Sequence, residues 1–510
     1  MKANVSNKLQ VYIIPAILFV ICFCWKLFFI TQRDICIDEP FTIFNAQKSL
    51  GDIVQLNANG EPNPPLFMIL LHYWLRLFGD EAQAVRLLPL LFNSITVLFI
   101  YFTGKRFFNF QAGLVAACLF IFSNIHFFHG LEVRTYSLFS MTTAASLYFF
   151  MVYLKNNKSI KSLIWLIIFN LIMVYSHYFG WFVIFSQFIC GFLYIRNFKL
   201  LLRLQIPTIA TVIGYLPMVP IIIRQFMDKS SRGTWVKPPT PIEYLNHLLL
   251  FFNNKEVMLV LILVVTLGVI FTLYLLFKKK WKGFSKSLVV LLIWWFVPYT
   301  IMYMVSYEVP MFIGRYVLFN TIGLYLFIAA LVSFLFQNNK YLEAIAGIVI
   351  VVFMMLNFST RSKVFGHREI KNTVDFIKTH EGNPGNRIII LYPNWSDFLF
   401  MYHYDRSLFH DPDNFSEACL RKKIFHVWSL TQAKEIINRN KGKRIILFKD
   451  SNSTQPEERF LEYLDSTYNS VEKAFFPDTF HVGIYDTEQE KRTKVVNNQF
   501  HSIPNNGNLP

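Results

Sequence analysis

The chain is 510 residues long, 54% hydrophobic and only 16% charged, with a mean hydropathy of +0.38; this is more apolar surface than soluble cores bury, and a soluble globular enzyme is excluded. Aromatic residues make up 17%, 55 of them phenylalanine, spread through charge-poor runs of about 17–24 residues, the length a helix needs to cross a bilayer core of roughly 30 Å. The formal net charge of +17 would suggest nucleic acid in a soluble domain, but here the basic residues lie between apolar runs, where they set topology, and no nucleic-acid partner is expected.

Taken in chain order, charge-poor stretches predict spans at 11–30, 87–104, 111–131, 135–154, 204–223, 257–277, 287–307, 316–339 and 344–360. The first follows a basic N-region and has no small-residue cleavage pattern after it, so it reads as a retained anchor. The stretch 162–195 has no Asp, Glu, Lys or Arg. As one helix it would reach about 51 Å, too long for a single crossing. Basic clusters flank both of its ends (Lys158 and Lys161; Arg196, Lys199 and Arg203), which predicts a helical hairpin turning near 176–180 and a total of about eleven spans. Under that count the inward loops hold Lys2, Lys8, Lys105, Arg106, Lys155, Lys278 to Lys280, Lys282, Lys286 and Lys340 as well, with no acidic residue before Glu343. The N-terminus is therefore expected in the cytoplasm and the C-terminal region outside. Cys36 and Cys419 both fall on the outer side, where a disulfide between them is permitted by compartment but not specified by sequence.

Two regions lie outside the predicted spans. The loop 31–85 contains apolar pieces such as 65–78, interrupted by Tyr73, Trp74, His72 and Arg76, the pattern of helices lying in the interface. Between 361 and 494, helical stretches (370–380, 431–440, 457–468) alternate with β-like runs (387–392, 444–448, 481–485), which predicts a small α/β domain. The expected fold class is thus an α-helical polytopic membrane protein, with a membrane domain over 1–360, an outer α/β domain over 361–494 and a disordered tail over 495–510.

Ionisable residues inside spans mark function, and here they gather instead at the outward ends: Asp38 and Glu39 after the first span, Arg86 opening the second, Glu132 and Arg134 after the third, His177 and Tyr178 in the hairpin, Arg315 before the tenth. That distribution favours a reaction at the outer interface over a transporter, whose sites sit near the midplane; Pro207, Pro217 and Pro220 within one span are the hint toward a lipid-linked glycan transporter, and their plainer reading is a kinked packing helix. Asp38 and Glu39 suit a general base and its partner, or two solvated acids ahead of Pro40. Neighbours on a helix diverge by about 100°, so they cannot flank one bond as a hydrolase pair does. Arg86, Arg134 and Arg315 are each suited to a phosphate at headgroup level, or to anchoring at the interface. His177 reads as a ligand or a structural turn residue. Phosphate loops, zinc-type cysteine spacing and nucleophile elbows do not occur in the sequence.

In order and spacing, Ile37–Phe41 (IDEPF), Asn63–Gly79 (NPPLFMILLHYWLRLFG), Ala84–Phe92 (AVRLLPLLF), Gly130–Leu138 (GLEVRTYSL), Tyr175–Phe182 (YSHYFGWF) and Ile313–Phe319 (IGRYVLF) resemble the C-type integral-membrane glycosyltransferases (GT-C) of the protein O-mannosyltransferase and aminoarabinose-transferase kind, bacterial family 39-like. The resemblance covers about residues 8–336. It implies a GT-C-like fold in a bacterial inner (plasma) membrane, and transfer of a sugar from a polyprenyl-phosphate donor to a lipid, glycan or protein acceptor at the periplasmic face, with inversion. By the same match Asp38 is the base, Glu39 its partner and Arg86 the donor-phosphate contact; Arg134 and Arg315 are further phosphate-binding candidates, and Glu132, His177 and Tyr178 occupy recurring motif positions. Some relatives use a divalent metal ion and others none. The family often has His-Pro-Pro where this chain has Asn63-Pro64-Pro65. An already activated donor also accounts for the missing nucleotide motif.

Overall fold

The computed structural model describes residues 9–193, 197–232, 236–253, 262, 266–270, 273–274, 284–336, 338–360, 369–450, 459–476 and 480–490. The chain forms two compact units, Met1–His367 and Arg368–Pro510.

The first unit is helical. Among the described residues five helices are long and apolar enough to cross a membrane: Val11–Phe28, Ala82–Phe107, Tyr136–Lys155, Phe198–Gln225 and Lys286–Val305. The pair Phe110–Ile121 and Asn124–Leu131 would make a sixth, and Leu66–Phe78, Ile160–Ser176, Gly180–Phe192 and Asn320–Leu335 are shorter apolar helices. The predicted hairpin turn falls at 177–179, between two of these. Most of the expected span 257–277 lies outside the described residues. At the centre stands Asn320–Leu335, buried on every side from Asn320 to Ser333, as a helix apolar all round must be. Helices Ala82–Phe107 and Phe110–Ile121 cross at Gly104 and Gly113, where an added Cβ on Gly104 would come within 2.5 Å of the Gly113 Cα; only glycine permits that approach.

Two expected spans depart from straight helices. The stretch read as 111–131 bends by 61° between Ile121 and Asn124. Asn253 closes the break: its Nδ2 donates to the Phe122 carbonyl at 2.7 Å and its Oδ1 accepts from the Asn124 N–H at 2.8 Å, satisfying the backbone groups the bend frees. The helix from Phe198 to Tyr215 tightens to a 3-10 turn at Leu216–Met218, around Pro217, before Val219–Arg232 continues it. Nor are ionisable groups confined to one end. Lys26 is buried, donating to the Asn93 side chain and to the His126 carbonyl, and buried Glu343 accepts from Asn109 and Ser333. All six cysteines, Cys36 and Cys419 included, are free thiols.

The second unit is built on five strands, β1 (Arg387–Tyr392), β2 (Ile424–His426), β3 (Arg444–Asp450), β4 (Tyr468–Phe476) and β5 (Phe480–Glu490), in the order β2-β1-β3-β5-β4. β1 pairs in parallel with β2 and β3, while β5 is antiparallel to β3 and β4. β1 reads RIIILY and is buried throughout, as a central parallel strand covered on both faces must be. Ile388, Ile390 and Tyr392 pack with Ala433 and Ile437 of the helix between β2 and β3; on the other face Phe400, from the helix between β1 and β2, meets Phe448 of β3 at 5.3 Å. The two crossovers therefore lie on opposite faces of the sheet. The three expected helices and three expected strands are present, the ends shifted by up to a few residues; Ser396–Tyr404, Phe415–Arg421, β2 and β4 are additional.

Candidate active site

The segment after the first helix turns back and restarts as Glu39–Ala46, with Pro40 at a position where its missing N–H costs nothing. Ile37, immediately before, has φ 58°, a left-handed backbone that a β-branched residue adopts at a cost of about 1–3 kcal/mol. The kink separates the adjacent acids. The side chain of Asp38 is 39% exposed, and its Oδ2 accepts from Arg315 Nη1 at 3.0 Å. Glu39 is 2% exposed and points the other way.

Glu39 and Arg86 form a buried clamp. The carboxylate accepts from Arg86 Nε at 3.2 Å and Nη2 at 2.9 Å, from the Cys36 N–H at 3.1 Å and from the Val133 N–H at 3.1 Å. The guanidinium gives its remaining protons to the carbonyls of Ile30 (2.9 Å), Arg33 (2.7 Å) and Asp34 (2.9 Å). All five N–H donors of Arg86 are thus taken by protein, and the residue is 1% exposed. Arg86, expected at a donor phosphate, fastens the 30–39 loop to its own helix and, through Glu39, to Val133.

The other two arginines keep more reach. Arg134 donates to Thr42 Oγ1 at 2.8 Å and lies 3.8 Å from Glu61; its Nε is buried without a hydrogen-bond partner. Burial opposes its charge, yet Asp38 and Glu61 outweigh that and push its pKa above the usual value. The same balance, with Tyr136 and Asp38 opposing burial, raises Arg315. Glu132 meets His129 Nδ1 at 2.5 Å; burial works against its charge, but His129, Arg315 and Arg33 hold the carboxyl at about 2. Together Thr42, Glu61, Asn63, Phe67, Arg134 and Thr135 line a recess with room of about 10 Å³, on the order of one water.

His177 sits in the hairpin turn, stacked on Phe139 at 4.9 Å with Tyr316 edge-on at 5.9 Å. Its Nδ1 accepts from the Phe179 N–H at 3.2 Å, which leaves the proton on Nε2, buried and unpartnered. Burial, then Arg134, holds its pKa near 3, so the ring is neutral. Tyr178 turns elsewhere: its hydroxyl donates to Gln225 Oε1 at 3.1 Å and accepts from Asn57 Nδ2 at 3.3 Å, and Gln225 holds the Asn57 and Glu61 carbonyls. It braces the loop that carries Glu61.

The structure thus gathers Asp38, Glu39, Arg86, Glu132, Arg134, His177 and Arg315 at one end of the helices and ties Tyr178 to their support. Sequence reasoning missed Glu61, Thr42, His129 and Gln225. Glu61 had a signal, as an acid directly ahead of Asn63-Pro64-Pro65; Gln225 had none. Among the described residues no three His, Cys, Asp or Glu side chains are grouped to hold a metal ion; Glu39, Asp38 and Glu61 each face an arginine, and Glu132 faces His129.

Residues 62–223 match the family model described as dolichyl-phosphate-mannose-protein mannosyltransferase. No curated protein sequence matches the chain. Among solved structures, ArnT from Cupriavidus metallidurans in the apo state is similar with a TM-score of 0.56 at 11% identity, over 95% of this chain and 98% of that one. The same protein bound to undecaprenyl phosphate gives a TM-score of 0.56 at 11% identity, over 92% and 97%. The oligosaccharyltransferase of Archaeoglobus fulgidus in the apo form gives 0.54 at 10% identity, over 94% of this chain and 74% of that one. The family match and the fold agree with the resemblance read from the motifs: the architecture is that of the GT-C membrane glycosyltransferases.

Proposed function

We propose that this GT-C-fold chain is a membrane glycosyltransferase that moves a sugar from a polyprenyl-phosphate donor to an acceptor hydroxyl, with Asp38 as general base. The observation that carries the reading is the division of the acidic pair. Among the described residues, of Asp38, Glu39, Glu61 and Glu132 only Asp38 is substantially exposed; Glu39 and Glu61 are buried against Arg86 and Arg134, and Glu132 against His129. A base must reach its proton, and Asp38 alone can. In the reaction Asp38 takes the acceptor proton as the acceptor oxygen bonds to the anomeric carbon and the bond from that carbon to the phosphate oxygen breaks, with inversion. The negative charge growing on the departing phosphate calls for fixed positive charge. We assign that to Arg134 and Arg315, whose cations are stabilised in place, and assign Arg86 and Glu39 to holding the loop that presents Asp38. The unpartnered N–H groups of Arg134 and His177 support a polar ligand between them, since buried donors left unmade are costly.

The lysine and arginine bias supports a cytoplasmic N-terminus, with the site and the C-terminal unit on the periplasmic side of a bacterial inner membrane. The family match to a dolichyl-phosphate-mannose transferase and the undecaprenyl phosphate held by ArnT support a polyprenyl-phosphate donor. Mass spectrometry of polyprenyl-phosphate sugars and envelope glycans, in cells carrying the intact protein or Asp38→Asn at equal expression, tests the reading. One lipid-phosphate sugar should accumulate as its glycan unit disappears; unchanged lipids and glycans would remove the assignment.

A further inference from the structure

The second unit carries a group of residues that sugar transfer at Asp38 does not use. Just past the carboxyl ends of the neighbouring strands β1 and β2 stand two tryptophans, Trp395 and Trp428, 49% and 52% exposed. Their ring centroids are 6.0 Å apart and the ring planes meet at 70°. Two indoles left in solvent edge to face form an apolar corner with two walls, where burial would ordinarily stabilise a large apolar side chain.

Unsatisfied polar groups flank Trp395 in the chain. Ser396 is 1% exposed and its hydroxyl has no hydrogen-bond partner; the Oδ1 of Asn394 is likewise buried and unpartnered. Asp397 accepts from the Phe398 N–H at 2.6 Å and its Oδ2 lies 3.9 Å from Nδ1 of His426, the last residue of β2. Topology agrees with this placement. β1 is the middle of three parallel strands and its two flanking crossovers run on opposite faces, and in such sheets ligands bind beyond the carboxyl ends of the strands.

The chemistry selects the ligand class. The helix Ser396–Tyr404 would offer its N-terminus to a phosphate, but the Asp397 carboxylate already occupies the first turn and takes a backbone N–H there, so an anion is repelled. A neutral ligand with an apolar face and a rim of hydroxyls fits both halves of the site: indoles pack against the C–H face, while a carboxylate, an amide oxygen and a hydroxyl bond the rim. We propose that the carboxyl end of β1 and β2 is a saccharide-binding site, with Trp395 and Trp428 stacking on a sugar ring and Asn394, Ser396 and Asp397 bonding its hydroxyls. The proposal does not rest on the transferase reading.

The test is saturation-transfer NMR on the full-length protein in nanodiscs, with maltoheptaose, mannotriose and chitotriose as probes. At least one should show transfer to its ring C–H protons, and Trp395→Ala with Trp428→Ala should weaken that binding at least tenfold. Phe475→Ala, an exposed aromatic of the same unit at 62%, should leave it unchanged. Trp395→Phe with Trp428→Phe, which keeps an aromatic face, should bind between parent and double alanine variant. Absence of binding by all three saccharides would overturn the proposal, as would equal binding by the double alanine variant. Quenching of the two indoles by brominated phosphatidylcholine, read as the difference between the parent and the double phenylalanine variant, would make them membrane anchors and overturn it too.

Discussion

Glu39→Gln separates a holding role from a chemical one. The substitution keeps volume and removes charge, and its cost follows from the four N–H groups that converge on the carboxylate. Each oxygen receives one donor from Arg86 and one from the backbone, Arg86 Nε with Val133 on Oε1, and Arg86 Nη2 with Cys36 on Oε2. An amide offers one oxygen, so either orientation turns an NH2 toward one Arg86 donor and one backbone donor. Both are orphaned, and a buried guanidinium loses its counter-charge. Breaking a buried pair from one side costs about 3–5 kcal/mol. Asp38→Asn, by contrast, alters a partly exposed ion pair worth about 0–1 kcal/mol. The assay is thermal unfolding of the purified protein in detergent, beside release of polyprenyl phosphate from a polyprenyl-phosphate sugar. Glu39→Gln should unfold several degrees lower and lose activity in step with folded protein. Asp38→Asn should unfold near the parent temperature and transfer nothing. A Glu39→Gln protein as stable as the parent, with Asp38→Asn the unstable one, would refute the division of roles.

Three further outcomes follow from particular contacts. Ile37→Gly relieves the left-handed strain at a side chain that is 41% exposed, so the unfolding temperature should rise, by about 1 kcal/mol of stability, while transfer falls as the Asp38 loop loosens; a drop in stability would show that Ile37 packs more than it strains. Asn253→Ala leaves the Phe122 and Met354 carbonyls and the Asn124 N–H without their partner, and should cost about 2–4 kcal/mol in the same unfolding assay. Burial lifts the Asp397 carboxyl from 3.8 to about 6. The folded state therefore keeps a proton that the unfolded state releases, and this contribution, about 3 kcal/mol, is full below pH 4 and lost as pH rises through 6. Thermal proteolysis within residues 369–490 at pH 4.5, 5.5 and 7 should show that decline in the parent and a flatter profile in Asp397→Asn.

Much of the fold was legible because its signals are local. Charge-free runs long enough to cross a bilayer marked the helices, and basic flanks split 162–195 into two of them at the turn where His177 sits. β1 announced itself as RIIILY, buried on both faces. What stayed hidden depends on partners remote in sequence. Nothing near residue 122 says that Asn253 will close a bend there, and nothing in IDEPF says which of two adjacent acids turns inward; that is decided by Arg86, 47 positions away from Glu39. The motif match names Arg86 from its place at a helix start, while the partners that take its five donors lie 47 to 56 positions away and leave no mark in the motif. Strands β2 and β4 were missed because β2 has only three residues and because β4, with only its first residue buried, lacks the apolar run that marked the others.

The contact between Asp38 and Arg315 spans 277 residues of chain, and that separation sets an order of events during synthesis. At about 5–20 residues per second, roughly 15–55 s pass between the two residues leaving the ribosome. Once residue 134 is made, the acid, its clamp and Arg134 are all present, while Arg315 is not. A nascent chain that has formed its early helices therefore holds Asp38 without Arg315, and a product cut short anywhere before residue 315 never gains that ion pair. The pairing of Asp38 with Arg315 therefore waits until the chain has passed residue 315, with Asn320–Leu335 and Lys340–Leu356 still to come.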